Sequence, residues 1–126
     1  MNHKPDRYTT VAPYLIVDGA DQTLDFLKTV FGAVELRRIV GDGGIVKHAE
    51  VRIDDSILMI ADKAPDWRPV YAHVHVYVPD VDEVYKTALD RGAESIQKPM
   101  KQEDPDRRAG VKDSGGTTWW IATKID

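Results

Sequence analysis

The sequence contains no cysteine. Disulfides, thiolate zinc sites and a cysteine nucleophile are therefore excluded. The chain also has no apolar run near the roughly 20 residues that span a membrane. Its first residues, MNHKPDRYTT, lack the apolar stretch of a secretory signal. We therefore expect a cytoplasmic protein with no membrane partner.

An excess of positive charge is missing as well. The 17 Lys and Arg residues are outnumbered by 21 Asp and Glu residues, which gives a net charge of −4. Nucleic acids bind basic patches, so we expect no nucleic-acid partner. The Gly-x-Ser-x-Gly motif and the phosphate-binding P-loop are also absent. What remains is a chain of 126 residues, 42% hydrophobic, which suits one domain over residues 1–126.

Two segments of the chain share one pattern, which indicates an internal repeat. YLIVDGADQTLDFLKTVFGAVE and VYVPDVDEVYKTALDRGAE each contain an alternating strand, an acidic helix start, an amphipathic helix and Gly-Ala before another strand. Val17 matches Val78, 61 residues later, and Gly32 matches Gly92, 60 residues later. The repeat predicts two modules, at about residues 9–62 and 71–124, joined by the proline-containing segment DKAPDWRP.

Each half reads as strand, helix and three further strands, so the predicted fold class is α+β. The apolar helix stripes are Ala20, Leu24, Leu27 and Phe31 in the first half, and Val81, Val84, Tyr85 and Ala88 in the second. Asp80 and Glu83 are spaced as a capping box. GDGG is typical of a hairpin turn, and KQEDPDRRAG of a polar loop.

The alternation of side chains along a strand predicts one apolar and one polar face in each half. In the second half, the polar face carries His73, His75 and Tyr77, and in the first half it carries His48, Glu50 and Arg52. The helices need the apolar faces for their own burial. The polar faces are then metal ligands, the lining of a ligand pocket, or ordinary solvent-facing positions of an antiparallel sheet.

Over residues 9–124 the chain resembles the vicinal oxygen chelate superfamily of glyoxalase I, bleomycin-resistance proteins and extradiol dioxygenases. The resemblance is carried by FLKTVFGAVE, HAEVRIDDSILMIAD, HVHVYVPDVDEVY, RGAE and GVKDSGGTTWWIAT. It is strongest to a bacterial glyoxalase-like branch whose members often have no assigned activity. It implies two βαβββ modules that form curled mixed sheets with the helices outside, and a cup that holds the site.

The resemblance also implies four positions for metal ligands, which here are Ala12, Glu50, His73 and Trp120. Only Glu50 and His73 can ligate a metal through their side chains. Catalytic sites usually have three protein ligands and a water, so a divalent metal is a conceivable cofactor but is not favoured.

We therefore expect the cup to bind a small organic ligand. Its expected lining is Tyr14, His48, Glu50, Arg52, His73, His75, Tyr77 and Trp120. One alternative is a metal-dependent lyase, isomerase or dioxygenase in which Glu50 is a metal ligand or a general base beside His73. A second is metal-free acid–base chemistry by Glu50, His48 and His73. The superfamily commonly closes its cups by pairing modules of two chains, which implies a homodimer.

Overall fold

The chain forms two four-stranded sheets, each with one helix. The structure is a computed structural model and describes residues 3–101 and 103–125. The elements of module one are β1 (Tyr14–Val17), α1 (Ala20–Phe31), β2 (Val34–Val40), β3 (Val46–Ile53) and β4 (Ser56–Asp62). Those of module two are β5 (His73–Tyr77), α2 (Val81–Asp90), β6 (Glu94–Lys101), β7 (Asp106–Lys112) and β8 (Thr118–Lys124).

The two sheets have the same topology. Their strand orders are β1-β4-β3-β2 and β5-β8-β7-β6. The first strand of each module runs parallel to the last, and the other neighbours are antiparallel. The predicted α+β class and the strand–helix–strand–strand–strand order are therefore confirmed in both halves.

Each helix start is tied to the last strand of its own module. Gly19 precedes α1 in the left-handed region (φ 93°) and supplies no side-chain cap. Asp62 of β4 replaces that cap by accepting hydrogen bonds from the backbone N–H groups of Ala20 and Val46, both at 2.7 Å. In module two the backbone N–H of Val81 donates to Thr123 Oγ1 of β8 at 2.9 Å. Asp62 and Thr123 lie 61 residues apart, which is the offset of the repeat.

One hydrophobic core joins the two modules. The buried faces of both sheets and both helices belong to one cluster, and the rings of Phe31 and Trp119 lie 5.3 Å apart across the modules. The predicted stripe of α1 is too narrow, because Thr23, Phe26 and Val30 are also buried. The stripe of α2 is less buried than expected, since only Val81 and Ala88 are fully covered. Helix α1 therefore contributes more of the core than α2.

The turns predicted at Gly32 and at GDGG are confirmed, whereas the loop predicted near residue 101 is not. Gly32 ends α1 in the left-handed conformation, with φ 68°. The hairpin predicted at GDGG joins β2 to β3 through a 3₁₀ turn at Asp42–Gly44. The expected loop KQEDPDRRAG is wrong in extent, because β6 reaches Lys101 and β7 begins at Asp106. Charged residues lie in β7 because Arg107 pairs with Asp82 of α2 and Arg108 pairs with Asp106 of its own strand. Neither helix within the described ranges is long and apolar enough to cross a membrane.

Candidate functional site

The predicted strand faces are confirmed in module two. Val74 packs against the core, whereas the rings of His75 and Tyr77 contact each other with centroids 4.8 Å apart. Trp119 is fully buried in the core, and Trp120, next in sequence, is only half-buried. We call the side of each sheet that points away from its helix the cup face.

A hydrogen-bonded chain of four side chains lies on the cup face of module one. We call Tyr8, Tyr14, His48 and Glu50 the Glu50 cluster. Tyr8 Oη donates to Glu50 Oε1 at 2.5 Å, and His48 Nε2 lies 2.6 Å from Glu50 Oε2. Tyr14 Oη lies 2.7 Å from His48 Nδ1. An ionised carboxylate only accepts hydrogen bonds, so Nε2 of His48 carries the proton that is donated to Glu50.

The Glu50 carboxylate is buried and stays ionised. Glu50 is 6% exposed. Burial alone favours the protonated acid, but the hydrogen bonds from Tyr8 and His48 outweigh it, and the pKa of Glu50 is lowered. The hydrogen bond to Glu50 raises the pKa of Tyr8, and burial raises the pKa of Tyr14. The Glu50 carboxylate therefore stays negatively charged, and the phenols of Tyr8 and Tyr14 stay neutral.

The linker between the modules helps to hold Tyr14. The ring of Trp67 meets the ring of Tyr14 edge to face, with centroids 5.6 Å apart. Trp67 is in turn held by paired backbone hydrogen bonds with Ala64, both at 2.9 Å. Residues outside the strands thus fix one end of the Glu50 cluster.

Arg52 lies on the same strand as Glu50 but outside its hydrogen-bonded chain. Its Nε is buried and has no hydrogen-bond partner among the described residues. The guanidinium is close enough to act electrostatically on the hydroxyl of Tyr8, as is that of Arg37. A buried donor without a partner carries a desolvation penalty, which a bound acceptor would relieve.

A second network lies at the cup face of module two. We call His75, Tyr77, Asp104, Asp106 and Arg108 the Arg108 cluster. Arg108 Nη2 contacts Asp106 Oδ2 at 2.8 Å and Asp104 Oδ2 at 3.1 Å, and Arg108 Nε donates to His75 Nε2 at 3.1 Å. Tyr77 Oη donates to Asp106 Oδ2 at 2.8 Å. The arginine therefore links the predicted residues His75 and Tyr77 to two carboxylates.

Burial and the guanidinium of Arg108 keep His75 neutral. Burial, and then the positive charge of Arg108, lower the pKa of His75. This direction agrees with the geometry, since an imidazole nitrogen that accepts from a guanidinium cannot carry a proton. The hydrogen bond to Asp106 raises the pKa of Tyr77. With two carboxylates against one guanidinium, the cluster carries a net negative charge.

His73 and Trp120 form a flat pair beside this network. Their rings are stacked with an interplanar angle of 11° and centroids 6.1 Å apart, and Trp120 Nε1 donates to His73 Nδ1 at 3.0 Å. Gly110 pairs with Trp120 across β7 and β8. A Cβ on Gly110 would lie 2.6 Å from the indole ring. The absence of a side chain at Gly110 therefore leaves room for the indole.

Of the four implied metal-ligand positions, Glu50 and Trp120 do not occupy equivalent places in the two modules. Glu50 lies in β3 opposite Met59 of β4, whereas Trp120 lies in β8 opposite Gly110 of β7. The counterpart of Trp120 in module one is thus Met59, and the counterpart of Glu50 in module two is Gly110. Ala12, the remaining position, lies two residues before β1.

A divalent metal does not fit the donors that one chain presents. Across residues 3–101 and 103–125, no group of three or more His, Asp or Glu side chains is arranged to hold a metal ion. Both oxygens of Glu50 already accept hydrogen bonds from Tyr8 and His48. Nδ1 of His73 accepts one from Trp120. Catalytic metals need about three protein ligands, more than Glu50 and His73 supply.

The predicted site residues fall into two groups within one chain. Tyr14, His48 and Glu50 come together in module one, while His73, His75, Tyr77 and Trp120 lie in module two. No hydrogen bond of the described residues joins the two groups. Sequence reasoning missed Tyr8 and Arg108, the residues that complete the two networks.

Comparison with known proteins identifies the family. The pattern of the Glyoxalase/Bleomycin resistance protein/Dioxygenase superfamily matches residues 6–121. The chain belongs to this superfamily. Among relatives in sequence, an uncharacterized protein of Mycobacterium bovis is 33% identical over 128 positions, covering 91% of this chain and 83% of the relative. An uncharacterized protein of Mycobacterium tuberculosis is also 33% identical, covering 91% and 74%.

Several solved structures share the fold. TioX from a Micromonospora species has a TM-score of 0.78 at 24% identity, covering 92% of this chain and 98% of TioX. TnmS3, an antibiotic binding protein from a Streptomyces species, has a TM-score of 0.71 at 20% identity, covering 98% of both chains. FosX, a fosfomycin resistance protein from Listeria monocytogenes, has a TM-score of 0.70 at 17% identity, covering 91% and 92%. At these identities the likeness concerns the fold.

Proposed function

We propose that the protein binds a small organic molecule in the cup, without a complete metal site. One observation carries this proposal. The cup face of module two presents a flat aromatic pair, His73 and Trp120, and the cup face of module one presents the buried Glu50 carboxylate. Pockets of this kind combine aromatic surface with a few fixed polar groups. The antibiotic binding protein TnmS3 and the fosfomycin resistance protein FosX, which share the fold, support a ligand of this general class.

We propose that a second copy of the chain completes the cup. The Glu50 cluster and the His73–Trp120 pair belong to different modules and make no hydrogen bond with each other, so one chain presents two half-sites. Large aromatic residues on the cup faces remain exposed, with Tyr77 at 65% and Tyr14 at 40%. Pairing module one of one copy with module two of another would cover them and bring the halves together.

The roles of the residues follow from their positions. Trp120 offers a flat face for an aromatic ring or an apolar ligand body. Glu50, which His48 holds in place, orients a polar substituent by accepting a charge-assisted hydrogen bond at a remaining lone pair of its carboxylate. Arg52 offers a buried donor, and the Arg108 cluster adds negative charge at the other wall. This arrangement favours neutral or cationic ligands over anionic ones.

The experiment is native mass spectrometry of protein purified without chelators, followed by titration with a panel of aromatic antibiotics. We expect a dimer without stoichiometric metal, and binding that Trp120→Ala weakens roughly tenfold, as befits an aromatic contact of about 1 kcal/mol or more. Tyr71→Ala is the matched control, because Tyr71 is 76% exposed and lies outside both clusters.

The same experiment separates the alternative function. A metal-dependent lyase, isomerase or dioxygenase would retain stoichiometric Zn, Ni, Mn or Fe. Glu50→Ala and His73→Ala would then each lose the metal together with any turnover. That result would refute the metal-free binding site, and a monomer of 14.1 kDa at high protein concentration would refute a cup completed by a second copy.

A further inference from the structure

The segment before β1 crosses the cup face of module one. Residues 3–13 contain no strand or helix, and the carbonyl of Pro13 accepts a hydrogen bond from the backbone N–H of Met59 at 2.9 Å. We call residues 3–13 the N-terminal arm. Most of the arm is exposed, and Arg7 lies in the left-handed region with φ 66°. Tyr8 and Thr9, by contrast, are half-buried.

Tyr8 attaches this exposed arm to the most buried charge of the cup face. Its hydroxyl donates to Glu50 Oε1 at 2.5 Å, across 42 residues of sequence. The other carboxylate oxygen is held by His48 at 2.6 Å. His48 belongs to the same strand as Glu50, whereas Tyr8 comes from irregular backbone. Of the two hydrogen bonds to Glu50, the one from Tyr8 is therefore the one that can be exchanged without breaking the sheet.

We propose that Tyr8 occupies the place of a ligand hydroxyl, and that the ligand is an aromatic compound whose neutral phenolic O–H donates to Glu50 after displacing Tyr8. This inference rests on the proposed binding function and names the ligand class for the same cup. The arm then acts as a displaceable strap, and a phenol of the ligand takes over a contact that a phenol of the protein already makes.

The electrostatics of the site select a neutral hydroxyl. Glu50 is an ionised acceptor, so an anionic oxygen in the place of Tyr8 would be repelled by it. The pKa of Tyr8 is raised, first by its hydrogen bond to Glu50, which keeps the phenol protonated there. Arg52 and Arg37 lie near the same hydroxyl and act in the opposite direction. A ligand oxygen that accepted from the partnerless Nε of Arg52 would relieve its desolvation penalty.

The test uses 4-methylphenol, which reproduces the tyrosine side chain. The variant Tyr8→Ala removes the internal phenol and leaves space for the probe. Binding is followed by amide chemical shifts in ¹H–¹⁵N spectra, which also report whether the variant is folded. The matched probe is 4-methylanisole, in which a methyl group replaces the hydroxyl hydrogen. The matched variant is Tyr85→Phe, because the Tyr85 hydroxyl contacts Ser95 at 2.7 Å, away from the cup.

Tyr8→Ala is expected to bind 4-methylphenol about tenfold or more tightly than 4-methylanisole, as expected for a charge-assisted hydrogen bond. Glu50→Gln added to Tyr8→Ala should remove this preference. Wild-type protein and Tyr85→Phe should bind 4-methylphenol more weakly, and the wild-type amide signals of residues 6–10 should shift as Tyr8 leaves. This last measurement stands even where Tyr8→Ala does not fold.

Three results would overturn the inference. In the first, the two probes bind Tyr8→Ala equally, or neither binds. In the second, Glu50→Gln leaves the preference intact. In the third, the wild-type arm never moves, which would make Tyr8 a fixed structural contact. Since the proposed function is judged by the dimer and by Trp120→Ala, its failure can be told apart from each of these.

Discussion

Asp62 is predicted to stabilise the strand that carries the site as well as the first helix. Its two carboxylate oxygens accept hydrogen bonds from the backbone N–H groups of Ala20 and Val46, both at 2.7 Å. Val46 is the first residue of β3, the strand of His48 and Glu50. The change Asp62→Ala would leave both N–H groups without their acceptor, and α1 would have no other side-chain cap.

The magnitude follows from the two contacts. A hydrogen bond to a charged group contributes about 1.5–3 kcal/mol when buried, and an N-cap is typically worth about 1 kcal/mol. Because both contacts are only partly buried, we expect Asp62→Ala to lower the free energy of unfolding by about 2–3 kcal/mol. Thr123→Ala, at the equivalent position of module two, should cost about 1 kcal/mol, since Asp80 also caps α2.

The assay is urea unfolding followed by tryptophan fluorescence at one fixed protein concentration, because a dimer makes stability depend on concentration. Asp18→Ala is the matched control. Asp18 lies near the same helix start, but its ion pair with Lys63 is solvent-exposed, so its loss should cost less than about 0.5 kcal/mol. Equal shifts for Asp62→Ala and Asp18→Ala would refute the reasoning.

Three further predictions concern charge and packing. Hydrogen bonds from Arg38 and Lys28 lower the pKa of Glu35 from 4.5 to about 2. The stability that Glu35 contributes is therefore complete above pH 4.5 and is lost as the pH falls towards 2. Glu35→Gln should flatten the acid side of the stability profile by about 1 kcal/mol after allowance for solvent screening, and an unchanged profile would contradict this. Because the pKa of His75 is lowered in the folded protein, His75 should titrate below pH 6.5 when followed by NMR. The free energy of unfolding should rise with pH from that lowered pKa up to 6.5. Arg108→Gln should raise the midpoint of the His75 titration. Gly110→Ala should move the Trp120 indole away from His73, visible as a shift of its N–H signal, at a cost of about 1–2 kcal/mol.

The sequence was sufficient for features that repeat locally. Period-two alternation put Val74 and His75 on opposite faces, and adjacent tryptophans followed the same rule. The helix ends at Gly32 and Asp80 also carry local signals. These features depend on neighbours along the chain, which the sequence displays directly.

Contacts between distant irregular segments could not be predicted in this way. Tyr8 meets Glu50 from an arm without periodicity, 42 residues away. Arg108 stands in KQEDPDRRAG, whose charges and turn formers are typical of a polar loop, yet it lies in β7 and its side chain donates to His75, 33 residues away. Both misses concern side chains whose partners are chosen by tertiary packing, which overrides local composition.

The repeat explains why the two halves of the cup differ chemically. Both modules keep the features that tie their helices to their last strands, since Asp62 and Thr123 occupy equivalent positions. Their cup faces have diverged instead, and a buried glutamate at one position of module one corresponds to Gly110 in module two. Without a side chain at Gly110, the indole of Trp120 can lie flat against the sheet. In the proposed dimer each cup takes one face from each module, so a charged wall opposes an aromatic one. A symmetric metal site would instead need similar donors in both halves.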